Sequence, residues 1–195
     1  MYGKYSMRFE LGGEGEVNSS KRISQATHRG ADLLNLVVGD GNTIIIIKEW
    51  ESDWFDRSGL NRGVIYGILG EVELHRAKGP FDQVYYEKDG QGNKVEKYFD
   101  EPLECDLIVT VTKLSQKQKQ QIIRGIASLE MGEVPSIPQD VTFYSIDNGI
   151  GYRMYDDRGC DMWSDDIKNL QYIYEVRQNW VLNCNRAAID KMFQG

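Results

Sequence analysis

Four consecutive isoleucines, Ile44 to Ile47, sit inside the run TIIIIKEW at 43–50. β-Branched side chains are stiff at χ1 and pack well on a pleated surface, and four in a row are too few for a helix. An unbroken apolar run of this length predicts a central strand buried on both faces. Such a strand needs hydrogen-bonding neighbours on either side and apolar layers above and below it. It therefore commits the chain to a core built around a sheet.

The rest of the chain supplies those neighbours. Residues 5–11 read as a short strand. At 105–114, CDLIVTVTKL alternates, with Leu107, Val109 and Val111 on one face and Ile108, Thr110 and Thr112 on the other. Asp89-Gly90 and Asn148-Gly149 are two-residue hairpin signals. They predict the strand pairs 83–88 with 94–99 and 141–147 with 151–156. A short third strand, Cys160 to Trp163, follows the Asp157-Arg158-Gly159 turn. VIYGIL at 64–69 fits a helical turn or a strand, and 71–77 alternates as a strand does.

Helices alternate with these segments. Ser19 or Ser20 caps a predicted helix to Val38, with Ile23, Ala26, Ala31, Leu34 and Val38 on one stripe, and Gly39 stops it. Ser115 and Gln118 form a capping box that opens a helix with Ile122, Ile123, Ile126 and Leu129 facing inward. Ser164 is the predicted cap of a helix over 165–178, and a last short helix covers 185–193. The connector VPSIP at 134–138 could mark a subdivision, but only 57 residues follow it. A segment that small makes a marginal core of its own. The expectation is a single α+β domain over 1–195. It has a mostly antiparallel sheet, helices packed on it, and a C-terminal strand–helix–helix segment.

Charge narrows the function classes. The 195 residues carry 30 acids against 23 bases, a formal net charge of -7. That balance argues against a nucleic-acid module. The longest apolar run falls far short of the ~20 residues that cross a bilayer. No secretory leader pattern opens the sequence, and Cys105, Cys160 and Cys184 fit neither a disulfide framework nor a zinc ribbon. The expectation is a cytoplasmic protein with reduced thiols, no cofactor and no membrane partner.

Two stretches resemble a known family. They are MRFELGGE with the following RI-QA-HR at 22–29, and YRMYDDRGCDMW at 152–163. The second is followed by Leu170, Tyr174, Trp180, Arg186 and Ile189-Asp190 before Phe193. Together they resemble an uncharacterised bacterial family catalogued only as a domain of unknown function. The resemblance implies no settled chemistry. Some relatives carry labels of toxin-associated repeat proteins, which implies a toxin–immunity setting. The chain departs from the pattern at 183–186, where Asn-Cys-Asn-Arg replaces an expected Tyr-Asp-Arg.

The densest chemical feature lies within the stronger match. Residues 147–166 hold six acids (Asp147, Asp156, Asp157, Asp161, Asp165, Asp166) and two bases (Arg153, Arg158), a net of -4. Asp156 and Asp157 before Arg158-Gly159 are ordinary turn formers. Asp165 and Asp166 suit the positive end of a helix dipole. As a surface, the cluster would steer a basic partner toward itself. The leading reading is a non-enzymatic interaction protein of the immunity type that binds a basic toxin domain. Its patch would comprise Asp156, Asp157, Arg158, Asp161, Asp165 and Asp166, with Trp163 or Trp54 as apolar anchor. The alternative is a metal-dependent hydrolase with Asp156, Asp157 and Asp161 as ligands and His28 or His75 as base. No EF-hand spacing, phosphate-binding Gly loop or GxSxG elbow is present. The basic stretch Lys113, Lys117, Lys119 and Arg124 reads as a solvated helix face.

Overall fold

The computed structural model describes residues 3–13, 20–50, 60–81, 84–88, 94–98 and 103–194. In chain order the elements are β1 (Tyr5–Glu10), α1 (Ser20–Val38), β2 (Thr43–Trp50), α2 (Val64–Leu69), β3 (His75–Phe81), β4 (Val84–Lys88), β5 (Lys94–Tyr98) and β6 (Leu103–Thr112). There follow α3 (Gln116–Leu129), β7 (Asp140–Ser145), β8 (Ile150–Met154), β9 (Gly159–Ser164), α4 (Ile167–Arg177), a 3-10 turn (Gln178–Trp180) and α5 (Asn183–Gln194).

The fold is α+β. Seven strands form one antiparallel sheet in the order β1-β9-β8-β7-β2-β6-β3, and β4 and β5 pair as a separate two-stranded sheet. The isoleucine strand β2 is interior, paired with β6 on one side and β7 on the other. The strands on either side of 134–138 thus share one sheet. β9 lies between β1 and β8, and all its residues are buried.

The pleat sorts the side chains. Ile45 and Ile47 of β2, Ile108 of β6, Phe143 of β7, Tyr152 of β8 and Met162 of β9 turn to one face and are fully buried. On that face α1 contacts β7, β8 and β9, and α3 packs against α1. The β2 expectation is corrected on the other face. Ile44 and Ile46 are only half-buried, because among the described residues no helix layer closes over them. Four isoleucines in a row mark one covered face and one partly open face.

Local signals place the helices. The capping box at Ser115 forms, with the Ser115 hydroxyl accepting from the Gln118 amide. Val38 ends α1, and Gly39 follows with φ +50. Three expectations need correction. The strand expected over 71–77 starts only at His75, and VIYGIL, open between a helical turn and a strand, is helix α2. The cap of α4 is Asp166, whose carboxylate accepts from the Lys168 amide. Ser164 instead donates to the Gly149 carbonyl at 2.8 Å. Lys119 is fully buried rather than solvated. Its ammonium donates to Asn35 Oδ1 at 2.9 Å and to the Gly39 carbonyl, where the negative end of the α1 dipole favours a cation.

The C-terminal segment closes one edge of the sheet. Val181 forms a bridge to Phe9 of β1, and the Leu182 amide donates to the Arg8 carbonyl at 3.0 Å. No helix of the described residues is long and apolar enough to cross a membrane.

Candidate functional site

The acidic segment of the sequence divides into two structural groups. The first surrounds the β8–β9 turn. Asp156, Asp157 and Asp161 are buried, and each faces its own arginine. Asp161 takes both arms of Arg8, a β1 residue in register with it, at 2.7 and 3.1 Å. Asp157 is paired with Arg22 of α1. Asp156 accepts from the Arg158 backbone amide at 2.7 Å and from its guanidinium, Nε at 2.8 Å. The first of these bonds closes the turn locally, and the second neutralises the carboxylate.

This turn cannot relax easily. The Leu11 amide donates to the Arg158 carbonyl at 2.9 Å, stapling the turn to the end of β1. A Cβ on Gly159 would stand 2.7 Å from the Phe9 carbonyl oxygen and 2.2 Å from the Tyr155 hydroxyl. Glycine is required there for close approach. Burial pushes the Tyr155 phenol up to about 12. The Arg8 guanidinium 5.7 Å from its ring centroid pulls the other way, and Asp161 adds to the rise. Burial also raises the Cys160 thiol, with Asp161 adding to the effect and a Tyr152 hydrogen bond opposing it. A thiol held protonated in this way is a poor nucleophile.

Of the two readings of these acids, turn formers or a partner-facing patch, the burial of Asp156, Asp157 and Asp161 fits the first. Asp156, Asp157 and Asp161 point into ion pairs, because a carboxylate removed from water without a counter-charge is costly. Of that turn, Arg158 is the most solvent-facing side chain. The same three acids are the ligands of the hydrolase alternative, and each is engaged by a guanidinium. His28 lies exposed on α1, lining a polar groove with α3, and His75 is exposed on β3 beside Glu73. Among the described residues no group of three or more His, Cys, Asp or Glu is placed to hold a metal ion.

The second group lies at the other end of these strands, around the β7–β8 turn. Asp147, Asp165 and Asp166 are all exposed. Asp165 accepts from the Lys4 backbone amide at 3.0 Å, and Asp166 caps α4. Trp163 is mostly buried. Its indole lies flat across Gly151 of the adjacent strand, where a Cβ would come within 2.1 Å of the ring. Gly151 leaves the space that the indole fills. Trp54 lies outside the described residues.

The register joins Trp163 to side chains that the sequence reading did not single out for the site. Val111, Ile44, Tyr144, Gly151 and Trp163 are successive cross-strand partners on the partly open face. They make one apolar row that ends at the acidic turn. Val111 is 56% exposed and Tyr144 36%. Ile146 in the turn and Tyr172 on α4 are 48% and 62% exposed. The alternation Val141, Phe143, Ser145 inward already placed Tyr144 outward. Nothing in the sequence brought Tyr172 to it.

The matching family model covers residues 2–185 and is described as a domain of unknown function, DUF3885. The chain belongs to this DUF3885 family. No curated protein and no solved structure matches the chain. Among the described residues the DUF3885 match spans every strand and every helix except α5, which it enters only at its first turn, so the ion-paired turn and the acidic end both fall within the family unit.

Proposed function

We propose that the chain is a non-enzymatic, cytoplasmic binding protein of the immunity type, which captures a basic toxin domain and blocks its anion-binding surface. What supports this reading is the exposed acidic end made by Asp147, Asp165 and Asp166, in a chain of net charge -7. Acidic surfaces accelerate the encounter with basic partners and compete for sites that otherwise take phosphate. The patch is smaller than the sequence predicts, because Asp156, Asp157 and Asp161 serve the fold.

The test is co-expression with the toxin-like product of an adjacent gene. Growth rescued by the wild-type chain supports the reading. Rescue should weaken for the double variant Asp165→Lys with Asp166→Lys, and association should slow as salt is added. Toxicity that persists beside the wild-type chain overturns it.

A further inference from the structure

Four of the grooves among the described residues bear on partner binding. The one between α1 and α3 is open and lined mainly by polar side chains, His28, Asp32, Lys117 and Arg124 among them. The one between β1 and α5 lies over the Arg8–Asp161 pair. The remaining two meet at one residue, Gly149 of the β7–β8 turn. On the sheet side, a groove of about 440 Å3 is lined by Ile44, Ile46, Tyr144 and Trp163, with Asp165 at the end nearer the turn and Lys48 and the Asp140–Arg153 pair at the other. On the helix side, a groove of about 540 Å3 runs between Ile146 and Tyr172, with Asp147 on its lip.

Four of the large apolar side chains left exposed among the described residues, Val111, Tyr144, Ile146 and Tyr172, gather at this one end. Scattered exposed apolar residues are normal on a protein surface, whereas a contiguous group rimmed by polar residues marks an interaction site. The rim is formed by Asp147, Asp165 and Asp166. The exposed bases Lys4 and Lys168 leave this rim net acidic, while Lys48 and the Asp140-paired Arg153 line the sheet-side groove farther from the turn. Each groove is large enough to accept an aromatic or aliphatic side chain.

We infer that the β7–β8 end is the docking surface, with Tyr144, Ile146 and Tyr172 as apolar anchors. Its occupant is a basic protein surface that projects an apolar side chain between flanking lysines or arginines. This rests on the binding reading above and assigns its location and partner chemistry. A second copy of this chain is disfavoured as occupant, because pairing two of these ends would oppose acidic rims. The turn is well held for such a role. Asn148 Nδ2 donates to the Val37 carbonyl at 2.7 Å and Ser164 Oγ to the Gly149 carbonyl, so docking orders little that is not already ordered.

The experiment has two arms. In the first, the isotope-labelled chain is titrated with a peptide of one tryptophan flanked by lysines, followed by amide chemical shifts. Shifts confined to 144–149 and 163–173 are expected. The same peptide with serine for tryptophan should bind at least about tenfold more weakly, the loss typical of removing an anchor side chain. Shifts centred on 156–161 or on α1 and α3, or equal binding of the serine peptide, overturn the inference. In the second arm, Ile146→Asp and Tyr172→Asp, each first shown to unfold like wild type, are co-expressed with a toxin that the wild type neutralises. Both should lose rescue, while Lys117→Glu and Arg124→Glu keep it. Rescue that survives both anchor variants overturns the surface but leaves the immunity reading standing. A peptide map as expected with no neutralised toxin does the reverse.

Discussion

The β8–β9 turn and the β7–β8 turn lie only a few residues apart in sequence and carry the same kind of charge. Their fates are opposite. At the first, Asp156, Asp157 and Asp161 are buried and each is matched by an arginine. At the second, Asp147, Asp165 and Asp166 are exposed, with apolar side chains beside them. A run of carboxylates in a sequence states only that charge is present. Whether it stabilises the fold or faces a partner depends on where the cations sit, and two of the three cations come from β1 and α1.

The contrast can be broken experimentally, and the largest effect should come from the buried turn. Arg22→Met removes the guanidinium paired with the buried Asp157. Losing one partner of a buried pair typically costs about 3–5 kcal/mol, so a urea midpoint should fall steeply. A loss under about 1 kcal/mol would mean that Asp157 is hydrated and that the two turns differ less than described. Next comes Gly151→Ala, whose Cβ collides with the Trp163 indole. Overpacking of this kind costs about 1–3 kcal/mol. It should also raise Trp fluorescence exposure, because the ring has to lift from the sheet.

Asp166→Ala removes the α4 cap, an effect of about 1 kcal/mol, and should be read by thermal unfolding. At the exposed turn Asp147→Asn should alter stability by less than about 0.5 kcal/mol, as surface substitutions do. If Asp147→Asn proved as costly as Arg22→Met, the division into a structural and an exposed acidic group would collapse.

A pH measurement sharpens the same point for a buried cation. Burial pulls the Lys119 amine below its usual 10.5, with Asp40 opposing. The folded state then holds fewer protons than the unfolded state as pH approaches 10.5 from below. Stability therefore rises with pH across that window, and is lost again as pH falls through the folded value. Lys119→Met should flatten this rise in an alkaline denaturation series. An unchanged slope would mean that the ammonium is not desolvated.

Much of the architecture was legible in the sequence. The isoleucine run, the alternation at 105–112, the Asn148-Gly149 dipeptide and the capping box each name an element whose cause is local, while Asp89-Gly90 lies outside the described residues, between the paired strands β4 and β5. Periodicity and turn chemistry act over a few residues and so leave a trace there. Errors arose where a distant residue decides. Ser164 makes a good helix cap by type, but the Gly149 carbonyl across the sheet holds its hydroxyl, and Asp166 takes the role. Lys119 belongs to a basic stretch by composition, yet it lies one helix away from the exposed carbonyl end of α1.

The candidate site divides along the same line. The amino-acid order alone determined that the strands around 141–164 would carry the chain's densest acidity and a tryptophan. It also determined that Tyr144 would face away from Phe143, since a pleat alternates by covalent geometry. Only the tertiary structure decided that Arg8 and Arg22 would take two of those acids out of solvent. It alone brought Tyr172 beside Ile146, across the groove that meets its neighbour at Gly149. These contacts join residues far apart in the chain. They follow from how α1 and α4 dock on the sheet, and docking is set by the whole buried surface rather than by any local run of residues.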